Sequence, residues 1–294
     1  MRTVIARLRW MLRPHRDVPV GRFDVTTNKW ADVTVDADST RDDLTLATYN
    51  IWLSDHHADE RYGAIAQLLS EHSPDVVVFQ EVTPRALAAF LAQPWIRERY
   101  YRAAVTGNEF GDYGQLMLSR LPISRVTYTH LPTSIGRGLL QAELTVNGRA
   151  LAICSVHLES GRRASRLRAR QVDRVFSAVG AAEDVVLSGD FNMRDDEDAR
   201  IPNSYVDAWP TLHPSEEGFT EDTSVNLMLL DSKKKNRRVR FDRVLIKGDG
   251  WTPALIRLLG TEPVSSTLPR VFPSDHFGLL CRVVRTAAQR SMHG

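Results

Sequence analysis

Polar residues close several otherwise apolar segments of this chain, at places where a buried strand has no structural use for a carboxylate, an amide or an imidazole. Asn50 ends LATYN, Glu81 ends VVVFQE, His157 ends AICSVH, and Asp190 and Asn192 follow VVLSG. Asp242 lies within RFDRVLI, and Asp275 and His276 precede FGLLC. Taken singly, each has a structural reading: a strand-end Asp or Asn caps a helix or builds a turn, and a lone His is commonly a satisfied internal residue. Taken together they form one repeated pattern, and a shared active site explains it at once.

The set suits hydrolysis of a phosphate ester, where charge on the phosphoryl oxygens must be stabilised and a water aimed in line. Mg²⁺ takes hard oxygen ligands and keeps several waters, so one or two carboxylates suffice to hold it, and Mn²⁺ is a substitute with similar ligand taste. Zinc is served less well. It favours His and Cys at close spacing, and the only close pair is His56 with His57, in a polar loop.

The elements that must position these groups alternate. Leu44 to Trp52, Asp75 to Gln80, Ala150 to His157 and Val185 to Ser188 are short and rich in apolar and β-branched residues, which predicts buried strands. Between them run helical patterns over Arg61 to Ser70, Pro84 to Leu91 and Arg163 to Val179. Leu139 to Val146 and Arg149 to His157 flank Asn147-Gly148, a dipeptide favoured in two-residue hairpins, so that pair is expected to be antiparallel. Further strands at Leu116 to Leu118, Ser124 to His130, Phe241 to Lys247 and Gly278 to Val284 are too many for one small sheet. The class is α/β or α+β, with two packed sheets flanked by helices. Residues 192 to 240 read as a long, loop-rich insertion, the kind of connection that carries binding functions.

The segments LATYNIW, VVFQEV, SVHLES, SGDFNMRD, RFDRVLI and PSDHFGLLC occur in the order found in the endonuclease/exonuclease/phosphatase superfamily, which the chain resembles from about Leu44 to Val284. HLES, GDFNMRD, RFDR and FPSDHFGLLC are most similar to its tyrosyl-DNA phosphodiesterase 2 branch. The resemblance implies a four-layer α/β sandwich of two mixed sheets flanked by helices. It also implies a Mg²⁺-dependent phosphodiesterase that hydrolyses a 5′-phosphotyrosyl bond to DNA and leaves a 5′-phosphate.

Residue by residue, the resemblance makes Glu81 the principal metal ligand, with Asn50 organising the metal shell and water, and Asp275 supporting the metal region or the His276 loop. Asp190 would position or deprotonate the attacking water, and Asn192 would hold the phosphate or water beside it. His157 and His276 would hydrogen-bond the phosphoryl oxygens, with Asp242 orienting His276. Ser160 and Arg194 match residues near the scissile phosphate, and an Arg fork suits phosphate. Tyr113 and Phe219 are candidates for lining the substrate groove, or for plain core aromatics. Two departures touch substrate choice: Glu221 stands where the animal enzymes carry an aromatic, and Phe191 where they carry a smaller polar residue.

Two basic clusters remain open between phosphate contact and solvated surface: the helical stripe Arg163, Arg166, Arg170 and Arg174, and the run Lys233, Lys234, Lys235, Arg237, Arg238 and Arg240. The formal net charge of +2 over 294 residues does not by itself argue for nucleic-acid binding. Hydrophobic residues make up 43% and charged residues 25%, which suits one catalytic domain at 44–285, after an extension at 1–43 and before a tail at 286–294. No separate binding domain is expected before Leu44. The Arg-rich residues 1 to 16 read as a targeting or membrane-touching helix, or as a plain amphipathic or frayed end. Cys154 and Cys281 sit inside apolar runs and read as buried free thiols. The expected protein is a monomer without stable membrane association, cytoplasmic, acting on nucleic acid with a 5′-tyrosyl adduct. Another phosphoesterase on the same scaffold, a nuclease or a lipid or sugar phosphate hydrolase, is the alternative within the enzyme class. A non-catalytic nucleic-acid-binding protein is the alternative outside it.

Overall fold

The computed structural model describes residues 15–107, 111–133 and 135–286. Two mixed β-sheets stack face to face. The first runs, in spatial order, through His15–Asp17, Arg125–His130, Gly138–Val146, Arg149–His157, Asp184–Asp190, Asp242–Lys247 and Tyr205–Asp207, with Asp38–Ser39 also pairing with Gly138–Val146. The second runs through Trp251–Leu259, Gly278–Arg285, Asp43–Asn50, Val76–Val82, Gly111–Ser119, Tyr101–Gly107, Gly21–Asp24 and Lys29–Asp32.

The central strands are buried on both faces, so they read as continuous apolar runs rather than alternating ones. Successive side chains still separate. Leu46, Val76 and Val78 point inward to meet Leu140, Ile153, Val186 and Val244 of the other sheet. Ala47, Tyr49, Val77 and Phe79 point outward, under the helices Ala58–His72, Pro84–Leu91 and Pro94–Arg99. On the other side Cys154, Val156, Val185 and Leu187 pack beneath the helix Ser165–Val179. This is the helix, sheet, sheet, helix sandwich that the sequence led us to expect.

Besides the short pairing of Asp38–Ser39 with Gly138–Val146, two strand pairs are parallel, Asp43–Asn50 with Val76–Val82 and Arg149–His157 with Asp184–Asp190. Each pair is joined across the helix on its outer face, a β-helix-β unit, so four strand C-termini point to one end of the sandwich. Open parallel sheets bind ligands at that end. The hairpin is antiparallel as expected, with Val146 opposite Arg149, and Asn147 and Gly148 both take left-handed φ values of 55° and 74°.

Three features depart from the sequence reading. Residues 15 to 39, set apart there as part of an extension, contribute strands to both sheets, and Val18 and Val20 enter the core between them. The rest of the Arg-rich segment, residues 1–14, and the tail from 287 onward lie outside the described residues. Trp251–Leu259 is a nine-residue edge strand that the sequence reading lacks; it contains Pro253 at a register shift, where an edge tolerates a missing N–H. The insertion at 192 to 240 holds short elements, among them the 3₁₀ turn Asp195–Arg200 and the helix Leu227–Lys233. Among the described residues no helix is long and apolar enough to cross a membrane.

Candidate active site

The end of the sandwich that collects the strand C-termini opens into a cavity of about 800 Å³, lined among others by Glu81, His157, Asp190, Asn192, Asp275 and His276. Local backbone features aim these groups. Glu81 has φ 63° at a bulge between Gln80 and Val82, which turns its side chain into the cavity, and Oε2 accepts a hydrogen bond from Leu53 N at 2.9 Å. Asn192 also takes a left-handed φ, 51°, which Asn tolerates better than most residues. Gly189 lets the strands of His157 and Asp190 close up, since a Cβ there would meet Val156 O at 2.1 Å.

Asp190 is the hub. Its Oδ1 accepts from Asn192 N at 2.8 Å, and its Oδ2 accepts from Asn50 Nδ2 and Asn192 Nδ2, both at 3.0 Å. His157 Nε2 lies 3.4 Å from the same Oδ2. Burial alone would raise this carboxyl. The His157 hydrogen bond and the charges of His276 and Arg137 more than reverse that, and hold it well below the usual carboxylate range. This environment favours the ionised carboxylate of Asp190.

The two imidazoles beside it differ. Arg137 Nη1 donates to His157 Nδ1 at 2.6 Å, so Nδ1 is an acceptor and the ring proton sits on Nε2, facing Asp190. Burial, with Arg137, pushes the His157 pKa down. His276 has Asp242 Oδ2 at 2.8 Å from Nδ1 and Glu221 Oε1 at 3.3 Å from Nε2. Burial opposes its charge, but Asp242 and then Glu221 and Asp190 outweigh that and raise it well above the ordinary histidine value. One ring is a neutral donor and the other a cation.

Glu81 and Asp275 are the candidate metal ligands. Burial first, and then the charges of Glu81 and Glu221, push the Asp275 carboxyl up to about 6, which marks crowded anionic charge that a cation would relieve. The donors are hard oxygens, which fit Mg²⁺ or Mn²⁺ better than zinc. Asn50 spends its amide nitrogen on Asp190 while its Oδ1 accepts from Trp52 N at 3.1 Å.

Of the remaining expected residues, Ser160 and Arg194 line the cavity. Arg194 lies 5.5 Å over the Phe241 ring, and its Nε is buried with no hydrogen-bond partner among the described residues. Tyr113 is not on the lining but stands behind it, 6.4 Å from the His157 ring with Arg137 over its face at 5.6 Å. Phe219 does not belong to the lining either: the short strand that follows it, Glu221–Asp222, presents Glu221 instead. Lys233, Lys235, Arg237 and Arg238 of the loop run reach the rim, whereas the Arg163 to Arg174 stripe stays outside the cavity.

Sequence reasoning missed Arg137, Trp52 and the buried arginines that fix the site's loops. Trp52 lines the cavity with a left-handed φ of 57°, costly for a bulky side chain. Beneath it Arg61 spends its guanidinium on backbone carbonyls: Nη1 on Ile51 at 2.9 Å, Nη2 on Ser54 at 2.6 Å and Trp52 at 3.1 Å, and Nε on His56 at 2.8 Å. Arg168 likewise grips Glu197 with two bonds, at 2.9 and 2.6 Å, and the carbonyls of Glu159 and Gly161, clamping the loop that carries Ser160 to the turn after Asn192.

Residues 47–276 match the Endonuclease/Exonuclease/phosphatase family. The chain belongs to that family. Among curated endonuclease/exonuclease/phosphatase relatives, it is 33% identical over 257 residues to tyrosyl-DNA phosphodiesterase 2 of Xenopus laevis, covering 81% of this chain and 66% of that one. It is 31% identical over 288 residues to the Homo sapiens protein of the same name, covering 90% of this chain and 77% of that one. The chain thus spans about two thirds of the length of the first of these relatives. A crystal structure of Danio rerio TDP2 complexed with single strand DNA product superposes with a TM-score of 0.69 at 27% identity, covering 83% of this chain and 99% of that one. The four-layer sandwich is thereby the fold of this family, and the acidic and histidine cluster at its open end suits the family's metal-dependent chemistry.

Proposed function

We propose that this protein is a Mg²⁺-dependent phosphodiesterase that hydrolyses the bond between a tyrosine and the 5′-phosphate of DNA. One observation carries the chemistry: an ionised carboxylate, Asp190, is locked by Asn50 and Asn192 at the cavity floor, with His157 Nε2 at 3.4 Å and the charged His276 beside it. The names of the relatives support the substrate. Mg²⁺, with Mn²⁺ as substitute, would be held by Glu81 and Asp275 and would supply charge stabilisation to the phosphoryl group.

Asp190 holds the attacking water. Because its neighbours make it a weak base, its task is orientation first, with the proton passing to it as the new P–O bond forms; the loose transition state of phosphoryl transfer needs little more. His157 Nε2 and the His276 cation donate to the phosphoryl oxygens as their charge grows, and Asp242 keeps His276 charged and aimed. Arg194 and Ser160 hold the phosphate from the side, and Asn192 steadies it and the water. The P–O bond to the tyrosine breaks and the phenolate leaves with little acid assistance, since its pKa is about 10. The basic rim at Lys233 to Arg238 meets the nucleic-acid backbone. A monomer working in the cytoplasm completes the reading.

Release of tyrosine from a 5′-phosphotyrosyl oligonucleotide, with and without Mg²⁺, tests it beside Glu81→Ala, Asp190→Asn and His276→Ala. Metal-dependent release lost in all three variants is the expected result. Hydrolysis of a generic aryl phosphodiester without tyrosine release would keep the family chemistry and reject the substrate.

A further inference from the structure

His276 offers the cavity a single ring nitrogen. Asp242 takes Nδ1, and Nε2, the atom a phosphoryl oxygen must reach, already faces Glu221 Oε1 at 3.3 Å. Glu221 is 3% exposed, and its other oxygen is held by Arg237, whose guanidinium lies 5.0 Å over the Phe241 ring. The pairing of Glu221–Asp222 with Arg238–Val239 fixes this arrangement. Glu221, Asp275 and His276 lie close enough to gather a cation. Both ring nitrogens of His276, however, already face a carboxylate oxygen, Asp242 Oδ2 and Glu221 Oε1, so Glu221 acts here on His276.

We propose that Glu221 is a specificity-determining residue. Its carboxylate holds the place of a phosphoryl oxygen on His276, and its charge penalises dianionic phosphate monoesters more than monoanionic diesters. The inference rests on the phosphoryl site assigned above. A diester brings one negative charge and displaces the carboxylate onto Arg237, which has further N–H donors to offer it. A monoester brings a second charge beside Glu221 and Asp275 within the same small space. The reaction turns a diester into a monoester, so this discrimination favours substrate over product and speeds product departure.

The test is calorimetric binding to the Mg²⁺-loaded full chain at pH 8, where phosphate monoesters are dianionic. The probes are phenyl phosphate, a dianion, and methyl phenylphosphonate, a monoanion of similar shape whose bond from phosphorus to the ring does not hydrolyse. Wild type is expected to bind the monoanion at least as tightly as the dianion, although a metal and a basic rim alone would favour the dianion. Glu221→Gln is expected to bind phenyl phosphate about tenfold more tightly, and to gain less for the monoanion. A wild type that prefers the dianion overturns the proposal without recourse to any variant. So does a folded Glu221→Gln whose affinity for phenyl phosphate is unchanged or weaker. Metal-dependent hydrolysis of bis(4-nitrophenyl) phosphate by the wild type is measured alongside: its absence strikes at the phosphodiesterase reading, while its presence with unmoved binding strikes at Glu221 alone.

Discussion

His157 and His276 occupy matching places on either side of Asp190, yet the fold gives them opposite electrical states. His157 ends a strand of the first sheet and takes a hydrogen bond from a guanidinium, which keeps it neutral. His276 comes from the loop before a strand of the second sheet and sits between two carboxylates, which keep it charged. The partner, more than the depth of burial, decides the state: both rings are almost fully buried, and burial alone would make both neutral. The site can therefore present a directional neutral donor on one side of a phosphoryl group and a full positive charge on the other.

The largest effect expected from breaking this arrangement is at the group both rings flank. Asp190→Asn removes the water-orienting charge, and kcat on a phosphodiester should fall about 10⁴-fold with KM little changed; a loss below tenfold would show that the hub is not where the water is aimed. His276→Gln removes the cation and should cost about 10²- to 10³-fold in kcat. Arg137→Gln sharpens the comparison from the other side. It should release His157 to a higher pKa, visible by NMR titration, and lower kcat about tenfold, the equivalent of one hydrogen bond. If the His157 titration did not move, Arg137 would not be what sets its state.

The smallest effect is on stability. The His276 pKa is raised above its unfolded value, so its contribution is fully present below pH about 6.5 and lost as pH rises through the raised value. The His157 pKa is depressed, so the unfolded chain takes up a proton near pH 6.5 that the folded one refuses, and stability is lost as pH falls below that point. In metal-free urea unfolding between pH 7.5 and 5.5, His157→Gln should lose less stability than wild type as pH falls, and His276→Gln should fall further behind wild type. Identical slopes would mean the two rings share one state.

The contrast between the rings was not legible in the sequence, although the rings themselves were. A polar residue closing an apolar run is visible without a structure, and that pattern found Asn50, Glu81, His157, Asp190, Asn192, Asp242, Asp275 and His276 together with the strands that bear them. Arg137 sits in a loop, SIGRGLL, with no such context, and its importance comes from a partner 20 residues away. Arg168 looks in sequence like one more member of the exposed stripe around Arg166 and Arg170, and only its distant partner Glu197 reveals that it is buried. The edge strands at 15 to 39 escaped for a different reason: they are short and largely exposed, so they lack the apolar density that marked the central ones.

The two cysteines lie at different depths of the layered structure, Cys154 between the first sheet and its helix and Cys281 between the two sheets. Both are fully buried, and burial pushes both thiols up, that of Cys281 to about 12, so neither reacts in the folded protein. A thiol reagent thus reads two separate clocks: Cys154 is reached when the helix lifts from its sheet, Cys281 when the sheets part. The ratio of their labelling rates reports whether the sandwich comes apart layer by layer or all at once.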